Sequence, residues 1–187
     1  MSEAFIDFMM ERVSFPRLIE PAPSPEVLGK IYQVALRTPD HMKLKPWRFL
    51  VIEGEARQNL GQVFCKAALD DNAELNQAGC DKYRNMPLRA PMIIIGICKN
   101  LSHPKVPVSE QALSTGTAMS YMLLALQASG FGGIWRTGPL ATHSVVMNAL
   151  GLSSNESIVG FLYLGTPKGE AKKLPLVDSS EYFQRWV

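Results

Sequence analysis

The stretch Gly130-Phe131-Gly132-Gly133-Ile134-Trp135-Arg136-Thr137-Gly138-Pro139 decides how the chain is organised. It follows a long apolar segment, Gln111 to Ser129, that reads as one helix. Gly130 is placed to end that helix, because glycine enters the left-handed region without a Cβ clash. Two more glycines follow, and a short run, Ile134-Trp135-Arg136-Thr137, leads away. Trp135 offers a flat apolar surface, and Arg136 beside it is a fixed cation with five donors. That pairing suits a flat, anionic, phosphorylated ligand. The same residues also read as a helix C-cap followed by a core strand, so the stretch alone leaves both readings open.

Outward from this bend, the helix expected from about Ser109 to Ser129 is apolar nearly all round. Such a helix is expected to be buried on most faces. Its small residues, among them Ala112, Gly116, Ala118 and Ser120, would let another helix pack close. Downstream, Thr142 to Leu150 predicts a further helix and Ser157 to Leu164 a buried strand. Upstream, Pro91 to Cys98 is a continuous apolar run with the length of a buried strand. Trp47 to Ile52 predicts another strand, and Leu60, Val63, Phe64, Ala67 and Ala68 mark a helix between the two.

Ser24-Pro25-Glu26 is a helix start, with a capping hydroxyl and a proline in the first turn. Thr38-Pro39 stops that helix, since a residue before proline avoids the α region. Residues 3–12 predict a short amphipathic helix. Asp70 to Met86 lacks an apolar period and reads as partly helical and exposed. Lys168 to Val187 is polar until Tyr182, Phe183 and Trp186, an end suited to docking on something apolar. Helices with four or five short strands and no regular strand-helix alternation give a mixed α+β class. At 187 residues, one domain spanning 1–187 is expected.

Composition excludes several function classes. Hydrophobic residues make up 47% and charged residues 19%, a globular rather than disordered balance. The net charge of +2 is too small for a general nucleic-acid or membrane-surface binder. Cys65, Cys80 and Cys98 are scattered, with no C-x-x-C pair to signal a disulfide framework or a zinc site. Reduced thiols fit the cytosol. The first residues carry acids where a signal peptide has basic residues, and no apolar run approaches a membrane span. A cytoplasmic protein is expected.

Three basic clusters stand out: Arg12-x-Ser14 with Arg17, Arg37 with His41, Lys43 and Lys45, and Arg136. Guanidinium and hydroxyl groups are the donors a phosphorylated ligand needs, although each cluster alone also reads as ordinary surface. His41 has no second His or Cys at ligand spacing, so no metal is expected. Cys98 ends an apolar run, the setting of an inert thiol. No G-x-S-x-G elbow or P-loop occurs, and Gly130-x-Gly132-Gly133 follows a helix, the wrong context for a Rossmann turn.

Taken together, three blocks resemble the nitroreductase family of FMN-dependent NAD(P)H oxidoreductases. They are Arg12-x-Ser14, Arg37-Thr38-Pro39-Asp40-His41 running to Pro46-Trp47-Arg48-Phe49, and Gly130 to Arg136. The short length and Gly160-Phe161-Leu162-Tyr163-Leu164-Gly165-Thr166-Pro167 are similar to its small YdjA-type branch. The resemblance implies an α+β fold with a mixed central sheet flanked by helices, in an intertwined homodimer with FMN at the interface. By position, Arg12, Val13 and Ser14 would grip the flavin from one subunit. Arg37 and His41 would reach it from the partner, and Trp135, Arg136 and Thr137 would line it. The branch also implies NAD(P)H as co-substrate, contacting Ala125, Leu126, Gln127, Ala128, Ser129 and Gly130.

The sequence departs from the family at defined places. Many members carry basic residues where this chain has Val13 and Pro16, which leaves Arg17 as the candidate for the flavin N1/O2 edge. Positions often filled by Asn and Gln are Lys43 and Lys45, and the C-terminal phosphate ligand falls among Lys168, Lys172 and Lys173. The implied reaction is a two-step flavin cycle: hydride from NAD(P)H, then reduction of an electron-poor acceptor such as a nitro compound or quinone. A flavin-binding carrier or sensor without turnover is the alternative, and a plain dimeric scaffold a third reading.

Overall fold

The computed structural model describes residues 2–171 and 173–187. The elements, in order, are α1 (Ser2–Met10), β1 (Leu18–Ile19), α2 (Pro25–Ala35), β2 (Trp47–Glu53), α3 (Ala56–Asp71) and α4 (Gln77–Arg84). They continue with β3 (Met92–Lys99), α5 (Val108–Ala128), β4 (Gly132–Arg136), α6 (Ser144–Ala149) and β5 (Glu156–Pro167). The five strands form one antiparallel sheet in the order β1-β5-β3-β2, with β4 also on β5. The mixed α+β class is the observed one.

The longest strand, β5, organises the sheet. It pairs with β3 from Met92↔Leu164 to Lys99↔Glu156 and with β4 from Gly132↔Gly165 to Arg136↔Phe161. Alternation along these strands builds two cores. Ile93, Ile95, Ile97, Phe161 and Tyr163 face Leu60 and Phe64 of α3 and Val146 of α6. Met92, Ile94, Leu162 and Leu164 face Leu28 and Ile31 of α2 and Met119, Met122 and Leu126 of α5. Helices cover both faces, which is why β3 reads as an unbroken apolar run although its neighbours are antiparallel. At α2, the Ser24 hydroxyl accepts the Val27 N–H at 3.4 Å and Pro25 fills the first turn.

Three regions differ from expectation. First, α5 is not buried all round: Leu113 is 70% exposed, and Ala112, Gly116, Thr117 and Ser120 join it on a strip the chain leaves open. Second, the segment expected to be exposed contains α4, whose Cys80 is buried and whose Tyr83, with Met86 just beyond, packs on the core. The contact is made through backbone, because the Arg84 carbonyl carbon stands 3.0 Å from where a Cβ on Gly61 would be. A contact of that kind leaves no apolar period to read. Third, β1 is only two residues long, too short for any alternation. The C-terminal Phe183 and Trp186 lie exposed in this single chain. Among the described residues, no helix is long and apolar enough to cross a membrane.

Candidate functional site

The open face of α5 forms the floor of a trough. At one end a cleft of about 310 Å³ is lined by Arg12, Ser14, Ser120, Leu124 and Trp135. It shares Ser120 and Trp135 with a cleft of about 580 Å³ over Gly116 and Val159. That cleft shares Leu113 and Thr117 with one at His41 and Glu110, which in turn meets, at Asp40, a basic cleft with Arg37, Lys43 and Lys45. From Ser120 to Glu110 the trough runs ~15 Å along the helix at 1.5 Å per residue. In one chain, therefore, Arg12 and Ser14 sit together with Trp135, whereas Arg37 and His41 sit at the far end.

The glycine bend holds the first end in place. Gly130 turns the chain at φ +78° after α5. The Phe15 ring lies against Gly132, with Cδ2 2.7 Å from where a Cβ would be, and the Phe15 N–H donates to the Gly133 carbonyl at 3.1 Å. These contacts bring the loop carrying Arg12, Val13 and Ser14 alongside β4. Arg17 is exposed just before β1, and its carbonyl accepts the Lys168 N–H at 3.0 Å.

The far end is a loop clamped onto α5. His41 Nδ1 lies 2.8 Å from Glu110 Oε2. The Ser114 hydroxyl donates to the Pro39 carbonyl, and Thr115 Oγ1 donates to the Pro46 carbonyl at 3.3 Å. Met42, Lys43 and Lys45 take positive φ of 61°, 55° and 49°. A Cβ meets the backbone carbonyl in that region, so the clamps on either side over-determine a loop that would otherwise relax. Asp40 accepts the Lys45 N–H at 2.7 Å, which holds the two exposed lysines beside Arg37.

Strand alternation separates Trp135 from Arg136. Trp135 pairs with Leu162 and packs on the α5 side; Arg136 pairs with Phe161 and lies on the α3 side, its guanidinium carbon 5.6 Å from the Tyr163 ring centre. The flat surface and the cation read as neighbours in sequence therefore stand on opposite faces, because side chains alternate along a strand. Thr137 lines the α3-side cavity together with Arg136, and neither lines the clefts at Trp135. In the segment Ala125 to Gly130, Leu126 is fully buried, Gln127 donates to the Phe8 carbonyl at 3.1 Å, and Ala128, Ser129 and Gly130 are exposed. Lys168 and Lys173 are exposed, and Lys172 lies outside the described residues.

Sequence reading gave Gly160 a place in the block Gly160 to Pro167 but no structural role. Gly160 pairs with Gly96 across β3 and β5, and the two bare positions make room for the Trp135 indole and the Met119 thioether on the α5 face. No local signal marks a glycine that serves a side chain 25 positions away. Cys98 is buried, and burial pushes its thiol above the ordinary range, which fits an inert core residue.

The chain belongs to the nitroreductase family, whose profile matches residues 18–166. It is 43% identical over 166 residues to the protein named "Putative NAD(P)H nitroreductase YdjA" of Escherichia coli (strain K12), covering 89% of this chain and 90% of that protein. Among solved structures, the nitroreductase-like family protein from Bacillus cereus superposes with a TM-score of 0.83 at 20% identity, over 97% of this chain and 95% of that one. Iodotyrosine deiodinase, solved with FMN and 3-iodo-L-tyrosine, superposes with a TM-score of 0.72 at 23% identity, over 97% and 98%. At such identities the structural likeness is one of fold.

Proposed function

We propose that this protein is an FMN-dependent oxidoreductase that takes a hydride from NAD(P)H and reduces an electron-poor acceptor such as a nitro compound or a quinone. It works as a homodimer with a flavin between the two copies. The observation that carries this reading is the trough on α5, whose chemistry changes along its length as a flavin nucleotide's does. Arg12 and Ser14 supply charged and hydroxyl donors at one end. Trp135, Gly116 and Val159 supply a flat apolar stretch next to them. At the far end, beside Arg37, Thr38 Oγ1 is buried without a hydrogen-bond partner, a polar group that a ligand held there would satisfy.

When bound, FMN supplies the two-electron chemistry, and the protein supplies position and electrostatics. Arg12, Val13 and Ser14 of one copy hold the cofactor beside Trp135. Arg37 and His41 come from the other copy, since in their own chain they stand at the opposite end of the trough. A cation at Arg12, or at Arg37 of the other copy, would favour the negatively charged form of the bound ring; Arg17 lines none of the clefts along the trough. Closing the trough against a second chain covers Leu113 and excludes water from the ring. The exposed end of α5, Ala128 to Gly130, is where the nicotinamide dinucleotide would touch the chain.

The test is to purify the protein, load it with FMN, and follow the flavin absorbance under argon while adding NADH or NADPH and then a panel of oxidants. Bleaching by a nicotinamide and recovery with an oxidant is the expected result. A protein that takes up no FMN would sink the reading; one that binds FMN but is not bleached would be a carrier or sensor.

A further inference from the structure

The opposite face of the sheet holds a second concavity. Between α3, α4 and β4 lies a cavity of about 260 Å³ that shares no lining residue with the clefts along α5. Phe64, Leu140 and Phe161 make apolar walls, and Arg89 and Arg136 bring two cations to it. Among the described residues, neither guanidinium has a carboxylate within ion-pair distance. Asp71, the acid in the lining, lies 3.3 Å from His143 Nε2. Arg136 rests over the Tyr163 ring, and its Nε is buried with no hydrogen-bond partner.

A guanidinium drawn in from the surface ordinarily finds an acceptor, because an unpaired donor loses its water without replacement. Here the lining charge is +2 from the arginines and −1 from Asp71, leaving +1 beside an apolar wall. The volume lies below the roughly 300 Å³ at which ordinary ligand pockets begin, so it excludes a flavin or a dinucleotide and admits one small ring. A guanidinium recognises a carboxylate through two parallel hydrogen bonds, and the walls suit a hydrocarbon body rather than a bare phosphate.

We infer that this cavity is a binding site for a small aromatic monocarboxylate, held by Arg136 and Arg89 with its ring against Phe64, Leu140 and Phe161. The site stands back to back with the proposed flavin cleft across β4, one residue from Trp135. It does not depend on the flavin reading.

Benzoate is the probe, titrated calorimetrically into the purified full-length protein while any flavin absorption is followed in parallel. Saturable binding at one site per chain is expected, with a dissociation constant on the order of 1 mM. Benzamide, which has the same shape without the charge, should bind at least about tenfold more weakly. Arg89→Gln, at an exposed position, should weaken benzoate about tenfold and leave the flavin spectrum unchanged. Leu140→Trp, which fills the cavity, should abolish binding. Absence of saturable benzoate binding overturns the inference, as do equal affinities for benzoate and benzamide. So does an unchanged affinity in Arg89→Gln, or benzoate binding that shifts the flavin band and is lost in Arg12→Ala.

Discussion

The indole of Trp135 rests on the main chain of Gly160, where an added Cβ would stand 2.7 Å from the indole Cδ1. Gly116 of α5 supports the ring from the other side, with a Cβ there 3.1 Å from the ring's far edge. The ring is thereby fixed between sheet and helix, and one of its faces forms a wall of the trough. Two glycines far apart in sequence thus determine where the flat surface of the candidate site lies.

Gly160→Ala is expected to push that ring into the cleft. Overpacking of this kind costs about 1–3 kcal/mol of stability, and FMN affinity should fall with it. Urea unfolding and fluorescence titration with FMN check both effects. If both are unchanged, the indole has room to move and the support is not required.

Arg12→Ala should weaken FMN binding by about tenfold or more, the loss of one charge-assisted hydrogen bond. Lys66→Ala, on the exposed side of α3, should change nothing. Equal losses in the Arg12 and Lys66 variants would make Arg12 an ordinary surface residue.

Leu113→Glu places a charge in the middle of the open α5 strip, where Leu113 is 70% exposed in one chain. If two copies close the trough there, an uncompensated charge should cost about 3 kcal/mol or more of association. Sedimentation should then show monomers, and FMN should be lost in the same preparation. A flavin-loaded dimer that tolerates the substitution would place the interface elsewhere.

The ion pair between Arg48 and Glu156 gives a pH prediction. Arg48 holds Glu156 with two hydrogen bonds of 2.7 Å, and Glu156 also accepts the Ser153 N–H at 3.0 Å. The Arg48 hydrogen bonds pull the Glu156 carboxyl from its ordinary 4.5 down to about 2. A carboxyl depressed on folding stabilises the native state fully above the unfolded value, and the benefit is lost as pH falls towards the folded one. Glu156→Gln should therefore be less stable than the parent at neutral pH by on the order of 2 kcal/mol. The gap should close between about pH 4.5 and pH 2. Urea midpoints measured across that range check it; a gap independent of pH would mean that shape, not charge, matters at this position.

Much of this protein was legible in the chain itself. The apolar run in β3, the period of α2 and α3, the serine-proline start at Ser24-Pro25 and the glycine stop at Gly130 are local signals. They act over a few residues, and their physics is the same in any fold. The three motif blocks were also readable, because each is contiguous.

Tertiary structure alone decided the rest. Strand alternation in β4 sent Trp135 and Arg136 to opposite faces, and only the pairing with Leu162 and Phe161 says which face is which. The approach of α4 to Gly61 and the seat of Trp135 on Gly160 are contacts between backbone and distant groups, which leave no hydrophobic period behind. The trough exists because α2 and the sheet cover one side of α5 and leave Leu113, Gly116 and Ser120 open. A sequence fixes which faces are apolar. Which of them finds a partner within the same chain depends on how all the elements share one core.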